Sequence, residues 1–423
     1  MTAELRMTLF AGRWSRWLQT TCLLAAACML IQTATAGVGS EPERKWVDAW
    51  AASYLPTTIN GTLQSVPTFY NQTLRLNMFL KLGGAALRVK LTNRFSTRPL
   101  TIGSAHVALR RSSYGLKSGP DVVAETDHAL TFAGAKTLKI EAGKEIWSDP
   151  VELAVQQHQD LSVSVFLPET TTPEAFHPVG LKTQYIITGD HCGDATFQSE
   201  GAGSRTTMVF FVSGIQVSAP ANAKVIVTLG DSITDGAAAA NDVNAAWPDV
   251  LSKRLPALKD GTPISVINMG IGSNRLVSAD AAGPAGLKRL EDDVLSRPNV
   301  SHLILLEGIN DISYEQIPAE KLIAAYEQVI DRAHARGIKV IGATLLPIQN
   351  SRKDTPTNEA TRQAVNKWIL ESHRFDAILD FEKVVRDPEN PLRIRKDLTG
   401  DYVHPNTEGY RLMGESIPLD LFE

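Results

Sequence analysis

The hydrophobic pattern of the chain changes its period near residue 220, and that break calls for two kinds of structure joined end to end. Before the break the period is two. Leu74, Leu76 and Met78 alternate with Arg75 and Asn77, and Leu87, Val89 and Leu91 alternate with Arg88, Lys90 and Thr92. Alternation of this kind turns one face of a strand to a core and the other outward. Similar short runs recur at 105–109, 161–167, 182–188 and 207–217, between loops rich in Gly, Ser, Pro and Thr. Gly83-Gly84, between the first two runs, predicts a tight turn and a hairpin. Residues 37–217 are expected to form an all-β sandwich, jelly-roll-like by strand number.

After Ser218-Ala219-Pro220-Ala221-Asn222 the pattern becomes compact apolar runs at 225–229, 264–268, 302–306, 339–346 and 375–380. Strands buried on both faces of a parallel sheet read this way. Helical stretches separate them. The clearest spans 318–336, where Leu322, Tyr326, Val329, Ile330 and Ala333 keep the i, i+3, i+4, i+7 spacing of one face and Gly337 ends the helix. Residues 218–423 are therefore expected to form an open α/β sheet, a fold whose ligands sit at the carboxyl ends of the strands.

Those ends carry residues with chemical capacity. The first run leads into Gly230-Asp231-Ser232, which puts a serine on a Gly-led turn entering a helix, its hydroxyl at the edge of the sheet. A helix cap made by Asp231 or Ser232 is the alternative reading. A serine nucleophile needs a base, and of nine histidines only His404 has a suggestive setting. It belongs to Gly400-Asp401-Tyr402-Val403-His404-Pro405-Asn406, where Asp401 stands three residues upstream in a turn-forming stretch. A carboxylate so placed can hold the ring N–H and stabilise the imidazolium that forms when the other nitrogen takes a serine proton. The second run ends at Gly270-Ile271-Gly272-Ser273, and the third at Gly308-Ile309-Asn310-Asp311. Gly-rich turns offer backbone N–H groups to a developing oxyanion, and the Asn310 amide can add one more donor. A dinucleotide loop is excluded, because Arg275 stands where the third glycine would be.

Taken in order, these four blocks resemble the SGNH (GDSL) hydrolase superfamily, over roughly Val225 to Glu423. The resemblance implies a three-layer, flavodoxin-like domain with a parallel sheet and a serine ester hydrolase. It assigns Ser232 as nucleophile, His404 as general base and then acid, Asp401 as the orienting acid, and the Ser232 N–H and Asn310 side chain as oxyanion donors. One departure concerns the turn. Many members have Ser-Gly or Gly-Gly where this chain has Gly272-Ser273, so the donor position falls on Ser273, and Gly272 and Ser273 both stay candidates. The front half, with Trp46-Val47-Asp48-Ala49-Trp50-Ala51-Ala52-Ser53 and the stretch from Gly83 to Asn93, resembles the β-domain of secreted SGNH esterases of the acetylxylan-esterase-like group. Trp46 and Trp50 are expected to pack in the core or between the domains rather than to form a sugar platform.

Residues 1–36 resemble a secretory signal peptide. Arg6, Arg13 and Arg16 lead into an apolar run from Trp17 to Ile31, too short to span a membrane, and Ala34-Thr35-Ala36 offers a cleavage site. A retained anchor and a lipid-modified Cys28 are the alternatives. Cleavage would remove Cys22 and Cys28, leaving Cys192 alone and no intramolecular disulfide. The chain of 423 residues has 42 Lys plus Arg against 46 Asp plus Glu, a charge of −4 that provides no basic excess for nucleic acid. No His-x-x-x-His or Cys-x-x-Cys spacing occurs, so neither metal nor cofactor is expected. The expected protein is a secreted or periplasmic esterase with no membrane span after cleavage, removing acetyl or other short acyl groups from carbohydrate or small esters through an acyl-enzyme. A lysophospholipase or other lipid esterase, and an inactive carbohydrate-binding protein, are the other readings left open.

Overall fold

Two larger antiparallel sheets and one parallel sheet, with three two-stranded ribbons beside them, carry the chain in the computed structural model, which describes residues 43–59, 62–111, 119–197, 203–278 and 283–423. The signal segment expected at 1–36 lies outside the described residues. In the first half, a four-stranded sheet runs Arg44–Ala51, Val212–Pro220, Leu87–Thr92, Glu145–Trp147 in spatial order. A six-stranded sheet runs Ser204–Thr206, Gln184–Thr188, Gln72–Phe79, Asp160–Leu167, Ser104–Leu109, His128–Ala129. All pairings in both are antiparallel. Leu74, Leu76 and Met78 from one sheet and Leu87, Val89 and Leu91 from the other enter the same core. That shared burial is what the alternating pattern encodes.

The hairpin expected across Gly83-Gly84 does not form. Gln72–Phe79 pairs with Asp160–Leu167 and Gln184–Thr188, whereas Leu87–Thr92 pairs with Val212–Pro220 and Glu145–Trp147, so the two strands belong to different sheets. The glycines serve close passage instead. A Cβ on Gly83 would lie 2.8 Å from the Val155 carbonyl oxygen, and one on Gly84 would lie 2.7 Å from that of Ser218. The polar side of the alternation is not all solvent-facing either. Arg75 is fully buried and donates to Ser164 Oγ and to the carbonyls of Pro120 and Asp194, with Phe197 4.0 Å beneath its guanidinium. The run expected at 207–217 starts its strand only at Val212, since Phe211 has φ +63°.

Strand Val212–Pro220 continues past residue 217, and a turn closed by Ala223 N–H to Pro220 O leads straight into the second half. There β1 (Lys224–Gly230), β2 (Ile264–Gly270), β3 (Val300–Leu306), β4 (Lys339–Ala343) and β5 (Ala377–Leu379) form a wholly parallel sheet in the order β2-β1-β3-β4-β5. Both neighbours of β1 end level with it, Gly230 facing Gly270 on one side and Leu306 on the other. The order reverses at β1, which opens a crevice at the strand ends between β1 and β3. Helix Ala319–His334 buries Leu322, Tyr326, Val329, Ile330 and Ala333 as its spacing predicts. Strand Arg44–Ala51 packs against β2, and a cavity of about 70 Å³ at this junction is lined by Trp50, Phe79, His177 and Asp235 among others. Trp46 stands in the same strand under the Arg88 guanidinium, 4.9 Å from its ring.

The turn after β1 lies so close to the end of β2 that only glycine fits there. A Cβ on Gly270 would come 2.2 Å from the Asp235 backbone nitrogen. Gly270→Ala is expected to destabilise the protein by about 3 kcal/mol, because rigid backbone must move to relieve the overlap. Equilibrium urea unfolding of the two proteins measures it, and a difference under about 0.5 kcal/mol would show that the approach is not tight.

Candidate active site

Ser232 follows β1 directly and opens the short helix α1 (Ser232–Asp235), capped by Asp231, whose Oδ1 accepts from the Ile233 N–H at 2.9 Å. The cap and the presented hydroxyl are thus adjacent residues. At the first helical position the Ser232 N–H has no acceptor within its own helix. Ser232 Oγ lies 2.9 Å from His404 Nε2, and His404 Nδ1 lies 2.7 Å from Asp401 Oδ2. The turn is self-bracing. Asp401 Oδ1 accepts from the Val403 and His404 N–H groups at 2.9 and 2.8 Å, and Thr399 Oγ1 donates to His404 O. Partial burial works against the Asp401 charge, yet these N–H groups and the imidazole outweigh it and hold the carboxyl below its usual range.

An Asp beside a His is not what singles out His404. His106 pairs with Asp127 at 2.8 Å, His334 with Asp376 at 2.8 Å, and His191 with Asp194 at 2.7 Å. The distinguishing contact is Ser232 on the other ring nitrogen. Cys192 is buried, and burial pushes its thiol up to about 12, which keeps it out of thiolate chemistry. Among the described residues no three His, Cys, Asp or Glu side chains are grouped to hold a metal ion, and no helix is long and apolar enough to cross a membrane.

The two candidates in the second turn separate. Gly272 gives its N–H to Asp235 Oδ2 at 3.1 Å, which takes it away from the crevice. Ser273 adopts φ +62°, the left-handed conformation that glycine holds without strain. Asn310, at the start of helix α2 (Ile309–Glu315), is buried. Its Nδ2 donates to Asn274 O at 2.9 Å and Asp231 Oδ2 at 3.3 Å, and its Oδ1 accepts from Lys353 Nζ at 2.7 Å. Ser232, His404 and Asp401 are hydrogen-bonded in series at the crevice, Asn310 joins them through Asp231, Ser273 lies in the turn after β2, and Gly272 fastens that turn to Asp235.

Several supporting residues have no motif to announce them. Arg289 donates from Nη2 to Gly230 O at 2.9 Å, from Nη1 to Met269 O at 2.6 Å and Asp293 Oδ2 at 2.8 Å, and from Nε to Asn274 Oδ1 at 2.8 Å. Asp311 accepts the Leu276 and Val277 N–H groups and so pins the loop after Ser273. Burial raises Asp231, Asp311 and, well above its ordinary value, Glu307. From the strand-rich half, His177 reaches Asp235 Oδ1 at 3.2 Å through Nε2, which also faces Val179 O, while Nδ1 lies 2.9 Å from Ser53 O. Every neighbour accepts, so both ring nitrogens carry hydrogen. Burial opposes that cation, but Asp235 and the two carbonyls prevail and raise His177.

His177 thus steadies the carboxylate that holds the Gly272 N–H. Its raised folded-state value means that this stabilisation is complete below the unfolded value of about 6.5 and is lost as pH rises through the folded one. His177→Asn is expected to cost about 3 kcal/mol at pH 6 and markedly less at pH 9. Denaturant unfolding of both proteins at the two pH values decides it, and a pH-independent cost would rule out the charged pair.

Residues 228–412 match the family model described as GDSL-like Lipase/Acylhydrolase family. No curated protein matches the chain. Similar solved structures include a protein assigned to the lipolytic G-D-S-L family from Desulfitobacterium hafniense DCB-2, at 26% identity over 46% of this chain and 97% of that one, TM-score 0.36. A carbohydrate acetylesterase family member from Sinorhizobium meliloti is 16% identical over 46% of this chain and 94% of that one, TM-score 0.36. The aryl esterase of M. smegmatis is 16% identical over 46% and 96%, TM-score 0.36. The matched segment, which carries the crevice and nearly all of the parallel sheet, is similar to the GDSL-like lipases and acylhydrolases.

Proposed function

We propose that the protein is a secreted serine esterase that removes acetyl or other short acyl groups from carbohydrate. The observation that carries the hydrolase reading is the hydrogen-bonded chain from Ser232 through His404 to Asp401. Ser232 Oγ attacks the ester carbonyl as His404 Nε2 takes its proton, and Asp401 holds the Nδ1–H and offsets the imidazolium charge. The oxyanion meets the N–H groups of Ser232 and Ser273 and the Asn310 amide. His404 then protonates the leaving alcohol, and water, deprotonated by the same imidazole, hydrolyses the acyl-enzyme.

The carbohydrate side of the reading is supported by the rim. Tyr314 is four residues beyond Asn310 on the same helix, hence on the same face, and its ring is 46% exposed. An exposed ring flanked by Arg275 and Lys353 suits the hydroxyl-rich face of a sugar better than an acyl tail. Secretion is supported by the layout of residues 1–36 alone.

Ser232→Ala is expected to lower kcat/KM for p-nitrophenyl acetate by at least about a thousandfold with unchanged unfolding behaviour, and Asn310→Ala to lower kcat about a hundredfold. Ser273→Ala keeps its backbone N–H and should stay within about threefold of the parent. Hydrolysis undiminished in Ser232→Ala removes that residue from the mechanism. A p-nitrophenyl ester series should fall from acetate to decanoate, and the opposite order would favour a lipid substrate. Acetate release from acetylated polysaccharides tests the natural substrate class.

A further inference from the structure

The hydrolytic scheme leaves Lys353 without a task. Its side chain is buried, 4% exposed, in the turn before helix Pro356–Glu371. Its ammonium contacts Asn310 Oδ1 at 2.7 Å and stands 4.3 Å from the Tyr314 ring centroid. Burying an ammonium is costly unless something near it gains from the charge.

We propose that Lys353 is a positioning residue of the esterase, which locks the Asn310 amide with its Nδ2 toward the oxyanion and strengthens that donor. The chemistry of the two groups carries the inference. An ammonium has hydrogens to give and no lone pair, so only the carbonyl end of the Asn310 amide can face it. A reversed amide would set Nδ2 against Nζ, donor against donor. The lock holds Nδ2 on the side of Asn274 O and Asp231 Oδ2, which take its two hydrogens at rest, and the longer bond, 3.3 Å to Asp231, is the one to pass to a developing oxyanion. A cation on the amide oxygen also draws electron density from the nitrogen, making its N–H groups stronger donors as negative charge develops nearby.

The charged groups facing Lys353 are Asp231 and Asp401, which favour its protonated form, and Arg352 and Arg275, which oppose it. Burial is the largest influence and brings the ammonium down to about 8. The lock therefore opens within an accessible alkaline range. A neutral amine can accept from Nδ2 as readily as donate to Oδ1, so the amide then keeps its orientation only through Asn274 O and Asp231 Oδ2 and its nitrogen loses the polarising cation.

This inference rests on the Ser232 ester-hydrolase reading. Steady-state hydrolysis of p-nitrophenyl acetate, corrected for the uncatalysed rate, is measured from pH 6 to 9.5 for the parent, Ser232→Ala, Lys353→Met and Lys353→Arg. The parent kcat should fall reversibly on the alkaline side with an apparent pKa of about 8. Lys353→Met should lose roughly tenfold or more in kcat with KM within about twofold, and should show no alkaline fall. Lys353→Arg keeps a donor-only cation that does not titrate, so it should recover much of the loss and carry its activity to higher pH. A parent kcat flat from pH 7 to 9.5 overturns the proposal, as does an alkaline fall that persists in Lys353→Met. If Lys353→Met does not fold, the parent profile and Lys353→Arg still decide. If Ser232→Ala is inactive while Lys353→Met matches the parent, the hydrolase reading stands and Lys353 is only a counter-charge for Asp231. If Ser232→Ala stays active, both fall.

Discussion

Arg289 ties together the ends of strands that would otherwise leave polar backbone exposed to one another across the crevice. Its guanidinium is 3% exposed and reaches the carbonyl of the last residue of β1, the carbonyl next to the end of β2, the Asn274 side chain and the carboxylates of Asp293 and Glu307. A planar, permanently charged fork can serve several acceptors at fixed angles, which an ammonium on a flexible stem cannot. The turn bearing Ser232 and the turn bearing Ser273 are both fastened to it, one through Gly230 and the other through Asn274. Their separation is therefore set by one rigid group.

Around that fork the buried charges balance in a particular way. Asp231, Asp235, Asp311 and Glu307 lie beneath the crevice, each made harder to ionise by burial, and Arg289, Lys353 and His177 stand among them. The strand-rich half takes part in this balance directly. It provides His177, and it provides Ser53, whose hydroxyl donates to Asp293 Oδ2 at 2.7 Å and whose carbonyl faces the His177 ring. The first half of the chain therefore helps to hold the turn of Gly272 and Ser273, in addition to covering β2.

What could be read from sequence follows the range of the interactions involved. The five buried runs of the parallel sheet and the helix of Leu322 and Tyr326 were legible because burial on two faces or one stripe is written locally. Ser232 and the Asp401–His404 turn were legible because a strand end and a short Asp-x-x-His turn are local too. Gly83-Gly84 misled, since a pair of glycines signals a hairpin or a tight crossing with equal force. Arg75 and Asn77 looked outward-facing, yet loops far along the chain cover them. Arg289, His177 and Lys353 could not be found, because their meaning lies in partners brought together by the fold, as when Ser53 meets Asp293 across 240 positions.

The register of the four-stranded sheet has a bearing on how the molecule is made. Arg44 pairs with Pro220 and Ala51 with Gly214, so the first described strand has no antiparallel partner along this edge until the chain has been extended through the whole strand-rich half. During synthesis, which runs from the N-terminus, that strand waits with its apolar face uncovered while the intervening residues emerge. Its partner strand leads within four residues into β1, the first strand of the parallel sheet. Closing the first half thus fixes the point from which the second begins.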